Sequence, residues 1–87
     1  MSLYLITSKH EPQECLRALD EGLAKGNLDK FVFGCKGGDH TGYAIVDAKS
    51  ISDALSLVPD FLQDKACVGK VDKFTRAEIK SLHVKAA

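Results

Sequence analysis

Apolar positions along this chain switch between a period of two and a period near 3.6, and the switches divide it into seven elements. Leu3 to Thr7 is a short apolar run rich in β-formers and predicts a first strand. Pro12 suits the first turn of a helix. Cys15, Leu16, Leu19 and Leu23 then recur at helical spacing, with Glu14, Arg17, Glu21 and Lys25 on the outside. Gly26-Asn27 stops that helix in a way that suits a left-handed cap. Lys30 to Cys35 alternates and contains Phe31 and Phe33, predicting strand two, and Gly42 to Ala48 predicts strand three. Ser50 or Ser52 can cap a second helix with the stripe Ala54, Leu55, Val58 and Leu62, kinked or remade at Pro59. Lys65 to Val71 predicts strand four, and Thr75-Arg-Ala-Glu78 is a capping box opening a short last helix through Ile79 and Leu82.

The order β-α-β-β-α-β-α holds no linker or low-complexity stretch, so a single domain over residues 1–87 is expected. An internal echo accompanies it. At an offset of 39 residues Tyr4 falls on Tyr43, Ile6 on Ile45, Leu16 on Leu55, Leu19 on Val58 and Leu23 on Leu62. Two βαβ halves in phase are the pattern of a ferredoxin-like α+β sandwich. Right-handed split crossovers then give a four-stranded antiparallel sheet in the order 4-1-3-2, with an extra short C-terminal helix.

Composition narrows the function classes. Lys plus Arg equals Asp plus Glu at 12 each, with the charges interspersed, so no basic stripe invites nucleic acid or a membrane surface. The apolar run Leu3-Tyr-Leu-Ile6 is far shorter than a signal-peptide core, and nothing approaches the ~20 apolar residues of a membrane span. Cys15, Cys35 and Cys67 are odd in number and widely spaced. They form no secreted disulfide framework, and each reads first as a small buried hydrophobe in a reducing, cytoplasmic setting. A chain of this length buries about 60–65% of its unfolded surface, and self-association often supplements such limited stability. Leu3/Tyr4, Phe31/Val32 and Ala44/Ile45 are apolar at both parities, so the sheet face opposite the helices calls for a cover. A homodimer is expected, unless the last helix folds across that face.

Chemistry concentrates in Phe33-Gly-Cys-Lys-Gly-Gly-Asp-His-Thr-Gly-Tyr43, the loop between strands two and three. The expected topology brings His10, at the end of strand one, and the amino end of helix one to the same edge. His10, Cys35, Asp39, His40 and Tyr43 are therefore the candidate ligand-binding residues. His10, Cys35 and His40 are acceptable donors for zinc or another divalent transition metal, with Asp39 as a fourth or supporting group. Cys35-x4-His40 matches no specific metal signature. In the blander reading the loop is only a turn: Gly37-Gly38 supply positive φ, Asp39 makes a side-chain turn bond and His40 is solvated. Cys35 with His40 lacks the orienting group and oxyanion donor of a nucleophilic pair. Lys36-Gly37-Gly38 lies between strands and is no P-loop. Tyr4, Tyr43 and His10 could alternatively line an apolar small-molecule pocket.

With Tyr4-Leu-Ile, Lys9-His10 and Gly34-Cys35…Gly38-Asp39-His40-Thr41-Gly42-Tyr43 in view, the chain resembles a group of small uncharacterised bacterial and archaeal proteins of the dimeric α+β barrel class. The resemblance implies the ferredoxin-like fold and a dimer whose two sheets face each other across a cavity. The class includes small isomerases, cofactor-free monooxygenases and haem-degrading enzymes, none of whose catalytic motifs is matched here. Two function classes stand as expectations: a small-ligand or metal-binding protein, or a minor enzyme of isomerase or monooxygenase type, working at this edge, and a non-enzymatic interaction module. The separation of His10 and His40 discriminates them.

Overall fold

A computed structural model describes residues 1–86 of the chain. Strict alternation builds its two long strands. Strand β1 (Ser2–Lys9) buries Tyr4, Ile6 and Ser8 and turns Leu5 and Lys9 outward. Strand β3 (Thr41–Ala48) buries Gly42, Ala44 and Ala48 and turns out Tyr43, Ile45 and Asp47. One covered and one open face is what this period-two pattern encodes. The two strands pair antiparallel throughout, from Ser2 opposite Ala48 to Lys9 opposite Thr41. Strand β4 (Cys67–Val71) adds to the other edge of β1, and β2 (Val32–Phe33) to the other edge of β3. The α+β fold thus has an open, antiparallel four-stranded sheet, ordered β2-β3-β1-β4, or 4-1-3-2 counted from the β4 edge.

Helix α1 (Cys15–Lys25) begins after a 3-10 turn, Pro12–Glu14, in which Glu11 and Glu14 cap each other, and it ends at Gly26 with φ 78°. Its stripe differs from the leucine stripe of the sequence. Ala18 and Gly22 are buried, whereas Leu16 and Leu23 are 71% and 65% exposed. Each of these leucines follows Cys15 or Gly22 by one residue and so lies about 100° round the helix from the inward face. The small residues Cys15, Ala18 and Gly22 form that face instead.

Ser50 caps helix α2 (Ile51–Leu55), its Oγ accepting from the Asp53 N–H at 3.1 Å. The helix does not continue through Pro59, and the chain resumes as a 3-10 helix over Asp60–Lys65. Lys25 clamps this junction to α1 by donating to the carbonyls of Ser56 and Val58 and to Asp60. Ile6, Val58 and Leu62 are the fully buried large side chains, packed with Tyr4, Ala18, Ala44, Ala48 and Ala54.

Two expectations need correction. Strand two shrinks to Val32–Phe33, because a 3-10 turn at Leu28–Lys30 precedes it and Cys35 already belongs to the next turn. The echo at 39 residues survives in the order of elements but not in which residues face the core. Tyr4 and Ile6 face the core, while Tyr43 and Ile45 face outward, Ile45 being 61% exposed. Helix α3 (Arg76–Ala86) opens on its capping box, with Glu78 N–H donating to Thr75 Oγ1 at 3.1 Å. Among the described residues it does not fold across the open sheet face and makes no extensive contact with any other element, and Phe74, Ile79, Leu82 and Val84 are exposed. Among the described residues no helix is long and apolar enough to cross a membrane.

Candidate metal centre

The glycine-rich loop is a tight turn with a fixed shape. Gly34 O accepts from both Gly37 N–H and Asp39 N–H at 3.0 Å, which folds residues 35–38 back on themselves. A Cβ on Gly34 would stand 2.8 Å from the Asp39 carbonyl oxygen, so the position admits no side chain. Gly38, with φ 92°, closes the 3-10 turn Cys35–Gly37, and Gly37 has no positive φ. Asp39 then faces forward along β3: its Oδ1 accepts from Thr41 Oγ1 at 2.7 Å and its Oδ2 from Tyr43 Oη at 2.6 Å. These bonds hold the Asp39 carboxyl below its ordinary range and push the Tyr43 phenol above its own.

That turn delivers His40 to the foot of β3, opposite His10. Beyond the last ladder pair, Lys9–Thr41, the His10 N–H donates to the His40 carbonyl at 3.0 Å. The two rings lie edge to face, with centroids 5.4 Å apart and planes at 68°. Cys35 Sγ approaches His10 Nε2 at 3.4 Å. Cys15, the first residue of α1, completes the group. One donor atom from each of His10, Cys15, Cys35 and His40 lies within 4.8 Å of every other. His10 is 3% exposed and the other three are half-buried. The Nδ1 of His40 is buried without a hydrogen-bond partner. Buried polar atoms are rarely left so, and this nitrogen is free to serve as a metal donor.

Four atoms no more than 4.8 Å apart share a central point within about 2.9 Å of each, the radius of a regular tetrahedron of that edge. Zinc bonds are about 2.0–2.1 Å to nitrogen and 2.3 Å to sulfur, so closing on an ion needs movements under about 1 Å. The electrostatics suit neutral imidazole. Burial first, then the neighbouring His40, pushes His10 below the usual histidine pKa, against a smaller opposing pull from Glu14. Burial and the adjoining Cys15 thiol push Cys35 up, so a metal must displace its proton.

Of the residues singled out in the sequence, His10, Cys35 and His40 converge. Asp39 and Tyr43 do not: they hold each other at the turn and stand outside the donor cluster. Tyr4, Tyr43 and His10 share no pocket, since Tyr4 is in the core and Tyr43 is on the open face. A partly enclosed pocket beside His10, bounded also by Ser8, Ala18, Phe31 and Phe33, measures about 20 Å³, room for one water. Cys15 was hidden in the helical stripe. Its signal lay in the spacing: His10-x4-Cys15 is the mirror of Cys35-x4-His40. Comparison with protein-family models, curated proteins and solved structures finds no match.

Proposed function

We propose that this chain binds one divalent transition metal ion, zinc in the first instance, through His10, Cys15, Cys35 and His40. The convergence of four nitrogen and sulfur donors from four separate segments carries this reading. The ligands come from the end of β1, the start of α1, the turn after β2 and the entry to β3. A bound ion would therefore tie together the loops at one edge of a small domain. Two imidazoles and two thiolates form a closed tetrahedral set of the kind found in structural zinc sites, with no position left for substrate. Metal binding, rather than isomerase- or monooxygenase-like catalysis, is accordingly the function we assign. Titration of the reduced, metal-free protein with zinc against a competing chelator tests it. One ion per chain, with uptake lost in His40→Ala and Cys35→Ser, is the expected result; uptake unchanged by both substitutions rejects the site.

The ferredoxin-like assignment and the homodimer belong to this same proposal. Strand order and the one-sided helices support the first. The second is favoured by the open sheet face, where Leu5, Val32, Tyr43 and Ile45 form a continuous apolar surface. Such a surface on a small chain is more often covered than left in water.

A further inference from the structure

The two sulfurs of the cluster are close to each other as well as to the imidazoles. Cys15 and Cys35 Sγ lie within 4.8 Å, and both residues are half-buried, so a small oxidant can reach them. A disulfide needs the sulfurs at about 2.05 Å, so they must approach by less than about 3 Å. Side-chain rotation and a small shift at an element boundary suffice for that approach. Cys15 is the first residue of its helix, and Cys35 opens a three-residue turn bounded by Gly34 and Gly38. A half-accessible thiol with a second thiol beside it is the arrangement of a redox-sensing pair, the second sulfur resolving the first oxidation product. Cys67, exposed at the start of β4, stands outside the cluster.

We propose that Cys15 and Cys35 form a redox dithiol whose oxidation by a peroxide yields an intramolecular disulfide and discharges the metal. The discharge, though not the disulfide, rests on the metal-binding function proposed above. In the first step Cys15, as the thiolate, attacks a peroxide oxygen; the O–O bond breaks, leaving a sulfenic acid and, after protonation, water, and Cys35 is left as the resolving thiol. In the second step the other thiol attacks the sulfenic sulfur; the S–S bond forms, the S–O bond breaks, and the departing hydroxyl takes the thiol proton and leaves as water. Two thiols thereby lose two electrons and two protons, and hydrogen peroxide is reduced to two waters. A disulfide offers no thiolate, so the site keeps only its two imidazoles and releases the ion. Reduction by a small dithiol restores it.

The test uses the full chain carrying Cys67→Ser, an exposed substitution that leaves the core untouched. Metal-free and zinc-loaded samples are treated with hydrogen peroxide. Intact mass, peptide mapping after alkylation and zinc released to a chromogenic chelator are then followed. In the metal-free protein the mass should fall by two hydrogens, with Cys15 and Cys35 linked in one peptide pair. In the loaded protein zinc should appear in proportion to that disulfide and return to the site on reduction. Independent oxidation of each cysteine to sulfinic or sulfonic acid, or disulfides only between chains, overturns the dithiol. A Cys15–Cys35 disulfide formed with zinc retained overturns the discharge. Zinc that never binds rejects the metal-binding function instead, and the metal-free sample alone then decides the dithiol.

Discussion

His10 and His40 are cross-strand neighbours one step beyond the β1–β3 ladder, joined by a 3.0 Å backbone hydrogen bond with their rings 5.4 Å apart. This pairing fixes the imidazoles by backbone register, so their separation does not depend on long flexible side chains. Rings this close favour the small-ligand or metal-binding expectation, whereas splayed rings would have favoured the interaction module. If the pair ligates metal, a hundredfold excess of zinc over its dissociation constant should stabilise the fold by about 2.7 kcal/mol. His40→Ala should remove that increment while changing the metal-free melting temperature little. Paired thermal melts with zinc and with chelator check this, and an equal gain in the mutant counts against it.

Acidification should weaken metal binding. The Cys35 thiol is pushed up by burial and by Cys15, so it is protonated at neutral pH and must lose its proton to solvent when the ion binds. Affinity should fall about tenfold per pH unit for each proton so displaced. Binding isotherms at several pH values, with uptake compared in buffers of different ionisation heat, would show a proton release of at least one per metal. A pH-independent affinity contradicts thiolate ligation.

The metal-free fold should also lose stability at mildly acid pH. His10 has its pKa lowered by burial and by His40, so below the unfolded value of about 6.5 the unfolded chain takes up a proton that the folded one resists. Stability therefore declines as pH falls from there toward the lowered folded value. Asp39 acts at a lower pH: its contribution is present above the ordinary carboxylate pKa and is lost as pH falls through its depressed one. Denaturant midpoints for wild type and His10→Asn as a function of pH should converge on acidification; parallel curves would remove His10 from the account.

Gly34 and Gly37 make a controlled pair. An alanine Cβ at Gly34 would meet Asp39 backbone and side chain at 2.8–2.9 Å, whereas at Gly37 it would meet nothing within 4 Å. Gly34→Ala should displace Cys35 and His40 together and cut zinc affinity at least by the ~10–100-fold typical of losing a supporting contact. Gly37→Ala should bind normally. Competition with a chelator of known affinity measures both, and equal affinities would mean that the turn does not position the ligands.

Association is checked on the open sheet face. Ile45, 61% exposed at its centre, should be an interface residue: wild type should sediment as a dimer and Ile45→Lys as a monomer. A wild-type monomer at tens of micromolar would contradict the proposed dimer.

Most element types were legible because each rests on local chemistry: alternation in β1 and β3, the Gly26 cap, the Ser50 and Thr75 caps. Topology then pointed to His10, Cys35 and His40 as neighbours. Two things were hidden. The inward face of α1 is made of Cys15, Ala18 and Gly22, and small residues give a weaker periodic signal than the leucines beside them. Reading the leucines as core turned Cys15 into packing and dropped the fourth donor. The parity of β3 was the second. Ala44 and Ile45 are both apolar, so hydrophobicity alone does not say which faces in, and the matched spacing of Tyr4/Tyr43 suggested a shared inward facing that register contradicts.

The most direct test of the central claim is the electronic spectrum of the reduced protein titrated with Co(II). Ligation by His10, Cys15, Cys35 and His40 predicts strong visible bands of a tetrahedral ion and near-ultraviolet sulfur-to-cobalt charge transfer, saturating at one ion per chain. The charge-transfer intensity should fall by about half, scaling with the number of thiolate bonds, in Cys15→Ser or Cys35→Ser and stay unchanged in Cys67→Ser. Weak octahedral bands without charge transfer, or intensity lost only with Cys67, would contradict the account.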